Sequence, residues 1–259
     1  MKRIFIFDVD GTLTPSRRKM TKEFKEFFEQ WALKNHFYLV TGSDLPKLQE
    51  QMSGMEIHAD GIFTCCGNQL WESDPVVHPK HCDLVYENKF EPPKDLIEYL
   101  KEQLEKSTYH HRAGNHIEDR GSMLNFSIVG RDCSLMEREN YFKWDNLNGE
   151  RKEISRAIGF RWPELDAVIG GQISIDIYPK GNDKSQILKH IKQNINMDSH
   201  TKTLADSSEY IFVGDRMEKG GNDYPLAKLL QNQDRPYGYT YETKGPEHTQ
   251  RILENTHND

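Results

Sequence analysis

The chain has no apolar run near the roughly 18 residues of a membrane-spanning helix. It has no excess of positive charge either: 34 Lys and Arg stand against 41 Asp and Glu, a formal net charge of −7. That balance argues against nucleic acid or an anionic membrane as a partner. Cysteines are few (Cys65, Cys66, Cys82 and Cys133) and none is spaced as CxxC. They read as reduced thiols of a cytoplasmic protein, and as neither a zinc site nor a disulfide framework. Internal repeats and low-complexity tracts are absent. The first residues begin basic but turn acidic after four apolar positions, which is not the pattern of a secretory leader. What is left is a globular chain of 259 residues, enough for one or two domains with a real core.

The apolar pattern supplies the fold class. Residues 4–7 form a continuous apolar run, as in a strand buried on both faces of a parallel sheet, and similar runs lie at 37–40, 61–63 and 210–213. Between the first two, Phe24, Phe27, Phe28 and Trp31 are spaced for a helix over 21–34. A second helix is expected over 44–52, capped by Ser43 or Asp44. This alternation predicts an α/β fold with a doubly wound, mostly parallel sheet. The rhythm then changes. A helix is expected over 92–106 behind Pro92-Pro93, strands at 125–129, 167–171 and 173–177, and a mixed stretch at 142–162 with a helix near 149–158. From Asp183 the α/β rhythm returns, with a helix at 184–194. The reading is a discontinuous core, residues 1–82 and 180–259, with an α+β cap inserted at 83–179.

The chemistry gathers at predicted strand ends. Asp8 and Asp10, in Asp8-Val9-Asp10-Gly11-Thr12-Leu13-Thr14, follow the first buried strand directly, where open α/β sheets place their ligands. Carboxylates this close repel, and a divalent cation relieves the repulsion. One can then attack an electrophile while the other moves a proton. Asp215, after Val213-Gly214, suits a further metal contact, and an all-oxygen ligand set favours Mg²⁺. Thr41 and Ser43 follow the second strand and can hold a phosphate oxygen. Lys184, placed just inside a helix, can pair with phosphate and nucleophile. Three clustered histidines, His110, His111 and His116, read as a solvated loop.

In this order the residues resemble the haloacid dehalogenase-like phosphotransferases. The resemblance implies Asp8 as the nucleophile that becomes an aspartyl-phosphate and Asp10 as general acid/base. It places Thr41, Ser43 and Lys184 around the phosphoryl group. It gives Mg²⁺ the Asp8 carboxylate, the Asp10 backbone carbonyl and Asp215. In the insertion, the segments 118–127, 130–134, 137–138 and 170–179 resemble the cap of the eukaryotic-type phosphomannomutases. The likeness runs nearly end to end, to Gly220-Gly221-Asn222-Asp223, Gly238-Tyr239 and Pro246-Glu247. It implies substrate contacts at Arg17, Arg120, Arg131, Arg138, Ser174 and Asp176. It implies interconversion of mannose 6-phosphate and mannose 1-phosphate with a hexose 1,6-bisphosphate activator, and a homodimer through the cap. A cluster of Arg suits a second phosphate, because guanidinium is a planar, always-charged fork. The alternative is a Mg²⁺-dependent sugar-phosphate phosphatase of the same superfamily, which needs Asp8 and Asp10 but no distal phosphate clamp. Three stretches depart from the family pattern: residues 64–68, residues 216–219, and a long 224–233 before Asp234-Arg235-Pro236.

Overall fold

A computed structural model of the chain describes residues 2–73, 81–199, 208–232 and 238–256; the Asp234-Arg235-Pro236 segment lies outside them. In chain order the elements are β1 (Arg3–Asp8), α1 (Lys22–Ala32), β2 (His36–Val40), α2 (Leu45–Met52), β3 (Gly61–Thr64), β4 (Gln69–Ser73), β5 (Cys82–Glu87), α3 (Lys94–Lys106), β6 (Ile117–Asp119), β7 (Leu124–Ser127), α4 (Leu135–Asn148), α5 (Glu150–Arg161), β8 (Leu165–Gly170), β9 (Ser174–Pro179), α6 (Ile187–Ser199), β10 (Glu209–Gly214), α7 (Tyr224–Gln231), β11 (Gly238–Glu242) and α8 (Pro246–Thr256).

The chain divides into two units. Met1–Glu87, Asp183–Lys219 and Asp223–Asp259 form the larger; Asn88–Asn182 with Gly220–Asn222 form the smaller. The boundaries read from sequence were 82/83 and 179/180; β5 carries the larger unit on to Glu87.

The larger unit is built on a seven-stranded sheet of order β11-β10-β1-β2-β3-β4-β5. The five strands from β11 to β3 are parallel; β4 and β5 are added antiparallel. Strand β1 explains why the sheet is covered on both sides. Phe5 and Phe7 pack with Phe28, Trp31 and Phe37 on one face, with the Phe5 and Trp31 rings 4.8 Å apart and edge to face. Ile4 and Ile6 pack with Tyr38, Phe63, Ile187, Tyr210 and Phe212 on the other. Each fully buried aromatic or branched side chain contributes roughly 1.5–3 kcal/mol through removal from water. Helix α1 buries Phe24, Phe28 and Trp31 and is capped by the Thr21 hydroxyl, which accepts from the Phe24 N–H. Helix α2 is capped by Asp44, not Ser43, through the Lys47 N–H.

The smaller unit holds a four-stranded antiparallel sheet of order β6-β7-β9-β8. Leu124, Phe126, Ile175 and Ile177 pack with Leu96 and Leu100 of α3, Tyr141 of α4, and Ile154 and Ile158 of α5. The intervening residues, Asn125, Ser127, Ser174 and Asp176, fall on the opposite face because side chains alternate along a strand, and all four are buried. The mixed stretch expected at 142–162 is corrected here: it is two helices, α4 and α5. Gly149 separates them with a φ of 71°, a left-handed angle that glycine takes without a side-chain clash. A capping box of Ser134 and Glu137 starts α4 earlier than the sequence pattern suggested. Among the described residues, no helix is long and apolar enough to cross a membrane.

Candidate active site

Parallel strands deliver their carboxyl ends to one edge. Asp8 ends β1, Thr41 follows β2, and Asp215 follows β10, so the residues singled out in sequence meet there. The turn after Asp8 is held by the Val9 carbonyl, which accepts N–H groups from Thr12, Leu13 and Thr14 at 3.2, 3.0 and 3.1 Å. Gly11 sits in this turn at φ +92°; a Cβ there would lie 2.5 Å from Asp215 Oδ2. Only glycine lets the turn come this close to the second carboxylate.

Lys184 is fully buried, with Nζ 2.6 Å from Asp8 Oδ1 and 2.7 Å from Asp223 Oδ1. The structure corrects its local setting. It lies in a 3-10 turn over Lys184–Gln186 just before α6, opened by Asp183, whose carboxylate accepts the Ser185 N–H. Thr12 Oγ1 donates to the other Asp8 oxygen at 3.2 Å, and the Arg216 N–H donates to Asp223 Oδ2 at 3.0 Å.

Asp8, Asp215 and Asp223 each offer an oxygen within 4.8 Å of the others; among the described residues this is the one group of His, Cys, Asp and Glu so placed. Burial pushes Asp8 up, Lys184 pulls it back, and Asp223 and Asp10 push it up again, leaving it at about 7. Burial, then Asp8 and Asp223, push Asp215 up to about 9. Burial opposes the Lys184 charge, but Asp223 and Asp8 outweigh it and hold the ammonium above its ordinary value. These shifts are consistent: one ammonium is stabilised by three carboxylates but cannot neutralise all of them. The remaining negative charge on an oxygen-only donor set fits a divalent cation. Asp223, the third carboxylate of this group, was not singled out from the sequence. Its signal was a second acidic residue after Gly220-Gly221, in a stretch already recognised but given no role.

Asp10 does not join this group with its side chain. Its Oδ1 accepts from the Arg17 N–H and, at 2.9 Å, from Gln51 Nε2. Arg17 is at φ 59° and half-buried. Thr41 and Ser43 are buried; the Thr41 hydroxyl accepts the Ser43 N–H at 3.1 Å, and their carbonyls accept the N–H groups of Cys66 and Cys65. Thus the departure at 64–68 folds back onto the loop after β2, and its two thiols are buried.

Of the remaining predicted residues, Ser174 and Asp176 lie on the polar face of the smaller sheet and Arg131 reaches it. Arg131 Nη1 donates to Ser174 Oγ at 2.8 Å, and Asn125 Nδ2 donates to Asp176 Oδ1 at 2.6 Å. Arg120 donates to Glu118 Oε2, with Nη2 at 2.5 Å, and Arg131 Nε lies 3.5 Å from the same oxygen. Arg138 is buried on α4. Glu118 and Asn125 were not assigned from sequence, yet Glu118, Asn125 and Asp176 are cross-strand neighbours. His111 pairs with Glu137 and His116 with the Ser127 carbonyl.

A family model for eukaryotic phosphomannomutase matches residues 24–259. The chain belongs to the eukaryotic phosphomannomutase family. A phosphomannomutase of Encephalitozoon cuniculi is 35% identical over 230 residues, 87% of this chain and 84% of that relative. One from Drosophila melanogaster is 31% identical over 253 residues, 96% of this chain and 93% of its own. Membership makes the chain a phosphomannomutase enzyme and implies a sugar-phosphate substrate. In solved structures the fold recurs in a haloacid dehalogenase-like hydrolase from Bacteroides thetaiotaomicron, with a TM-score of 0.57 at 14% identity over 99% of this chain and 100% of the other. It recurs in an N-terminally truncated, IMP-bound IMP-nucleotidase from Plasmodium falciparum, with a TM-score of 0.62 at 15% identity over 100% of this chain and 68% of that one. At these identities the likeness is one of fold.

Proposed function

We propose that this enzyme interconverts mannose 6-phosphate and mannose 1-phosphate through an aspartyl-phosphate on Asp8, primed by a hexose 1,6-bisphosphate. The observation that carries the reading is Lys184, buried and bridging Asp8 and Asp223 at the carboxyl edge of the parallel sheet. An Asp8 oxygen attacks phosphorus, the bond from phosphorus to the sugar oxygen breaks, and Asp10 gives that oxygen a proton. In the second half the other sugar hydroxyl loses its proton to Asp10 and attacks the aspartyl-phosphate, so that Asp8 is regenerated. Lys184 balances the charge of Asp8 and of the transferring group; Thr41 and Ser43 orient the phosphoryl oxygens. Mg²⁺ would be held by Asp8, Asp215 and the Asp10 carbonyl, with Asp223 as a further acidic group. When bound, it draws negative charge from the phosphoryl oxygens.

The division of labour follows the two units: the larger carries the phosphoryl chemistry and the smaller recognises the rest of the substrate. Arg120, Arg131 and Arg138 bind the non-reacting phosphate, Ser174 and Asp176 the sugar hydroxyls, and Arg17, in the larger unit, is a further substrate contact. Exposed Met136, Leu147 and Phe160 on α4 and α5 support self-association through the smaller unit. Free thiols support a cytoplasmic setting.

The test supplies mannose 1-phosphate, Mg²⁺ and a trace of hexose bisphosphate. Mannose 6-phosphate is the expected product. Release of free phosphate and mannose at a comparable rate would identify a phosphatase instead.

A further inference from the structure

Helix α2 turns Leu45, Leu48 and Met52 into the core, and Gln51 occupies the same buried face with 1% of its surface exposed. An amide there has no packing advantage over leucine or methionine. Its Nε2 donates to Asp10 Oδ1 at 2.9 Å and to Thr14 Oγ1 at 3.2 Å, while its Oε1 meets no donor among the described residues. The orientation is forced. Thr14 uses its hydroxyl proton on the Val9 carbonyl at 3.2 Å, so toward Gln51 it can only accept. An ionised Asp10 can likewise only accept. Both neighbours require the nitrogen, and leaving a buried oxygen unmatched is the consequence. The Gln51 backbone carbonyl also accepts the Met20 N–H at 2.8 Å. One residue of α2 thus holds the loop from Asp10 to Met20 at both ends.

We propose that Gln51 is a positioning residue that fixes the Asp10 carboxylate for proton transfer. It works with the Arg17 N–H: both donate to Oδ1, which sets the carboxylate plane and leaves Oδ2 for the proton exchanged with the sugar oxygen. This rests on the reading of Asp10 as general acid/base, and the experiment separates the two claims.

Gln51→Leu, Gln51→Glu and Asp10→Asn are compared in Mg²⁺ with two phosphoryl donors. One is the sugar phosphate, whose alkoxide leaving group needs a proton. The other is 4-nitrophenyl phosphate, whose leaving group departs without one; with it the nitrophenolate burst is followed, which reports phosphorylation of Asp8 before the aspartyl-phosphate is discharged to an acceptor whose proton Asp10 takes. Gln51→Leu should lower kcat with the sugar phosphate by about tenfold to a hundredfold, part of the 10²–10⁴ typical of acid/base catalysis, with KM changed little. The loss with 4-nitrophenyl phosphate should be at least about tenfold smaller, and Asp10→Asn should show the same leaving-group dependence. Gln51→Glu keeps the shape but faces Asp10 with a second carboxylate, and should be worse than Gln51→Leu. If Asp10→Asn shows the dependence while Gln51→Leu matches the wild type, or loses both donors equally, the positioning role is wrong. A Gln51→Glu variant with wild-type kcat would overturn it too. If Asp10→Asn itself shows no dependence, the acid/base reading fails and the positioning role with it.

Discussion

The two units solve opposite electrostatic problems. The larger one gathers three carboxylates, Asp8, Asp215 and Asp223, around the single ammonium of Lys184, at the ends of parallel strands. The smaller one gathers Arg120 and Arg131 around Glu118, on one face of an antiparallel sheet, and sets Ser174 and Asp176 beside them. The first is left short of positive charge and fits a metal and an electrophile. The second brings two guanidinium groups onto one carboxylate, and the reading proposed above gives them an anionic phosphate. Parallel strands bring loop residues to one edge, whereas antiparallel strands bring alternate residues to one face. The same chain therefore reaches its two chemistries through two different periodicities.

The contrast breaks most completely at the nucleophile. Asp8→Asn should abolish turnover of both sugar phosphate and 4-nitrophenyl phosphate; retention of either in a steady-state assay would remove Asp8 from the mechanism. Lys184→Met leaves buried carboxylates without their partner and should destabilise the fold by about 3–5 kcal/mol in urea unfolding. A loss under about 1 kcal/mol would mean that the cluster is already neutralised in another way. Arg131→Met, in the smaller unit, should act on the sugar phosphate alone. Losing charged hydrogen bonds of about 1.5–3 kcal/mol raises its KM about tenfold to a hundredfold, with 4-nitrophenyl phosphate little affected. Equal loss with both donors would erase the distinction between the units. Asn125→Leu removes the amide that donates to the buried Asp176 Oδ1 and should lower stability by about 1–3 kcal/mol, while Asp8 phosphorylation by 4-nitrophenyl phosphate persists.

A further prediction concerns pH. In the folded, metal-free chain Asp8 and Asp215 are lifted from the ordinary 3.8 to about 7 and about 9, so between these values the folded state keeps protons that the unfolded state releases. Stability in a chelator should therefore fall as pH rises from about 4 toward about 9, and Mg²⁺ should flatten that slope. Lys184 adds nothing to the slope there, because it remains charged in both states across that window. A melting temperature in chelator that rises over this range would contradict the cluster's electrostatics.

Much of this was legible in the chain. The run at 4–7 marked β1 because a strand covered on both faces has no polar alternation, and the acidic motif after it marked the reacting edge. Strands β4 and β5 were not foreseen: residues such as Gln69, Glu72, Asp83 and Glu87 give them a mixed pattern, and β5 is an edge strand. Helix α4 was hidden because charged and aromatic residues are spread around it, and its start is marked by the capping box of Ser134 and Glu137. Asp223 and Gln51 were given no role from the sequence for another reason. Each acts through a partner far away in sequence, Lys184 or Asp10, and no local pattern records such a pairing.

By itself the sequence determined the strand that carries Asp8, the residue types available for phosphoryl chemistry, and the arginine-bearing insertion. Only the tertiary structure decided which carboxylates share Lys184, that Asp10 turns toward Gln51, and that Glu118, Asn125 and Asp176 lie side by side. Residue types and short-range periodicity are written along the chain, but hydrogen bonds and charge pairs depend on distances that exist only once the strands have been brought into register.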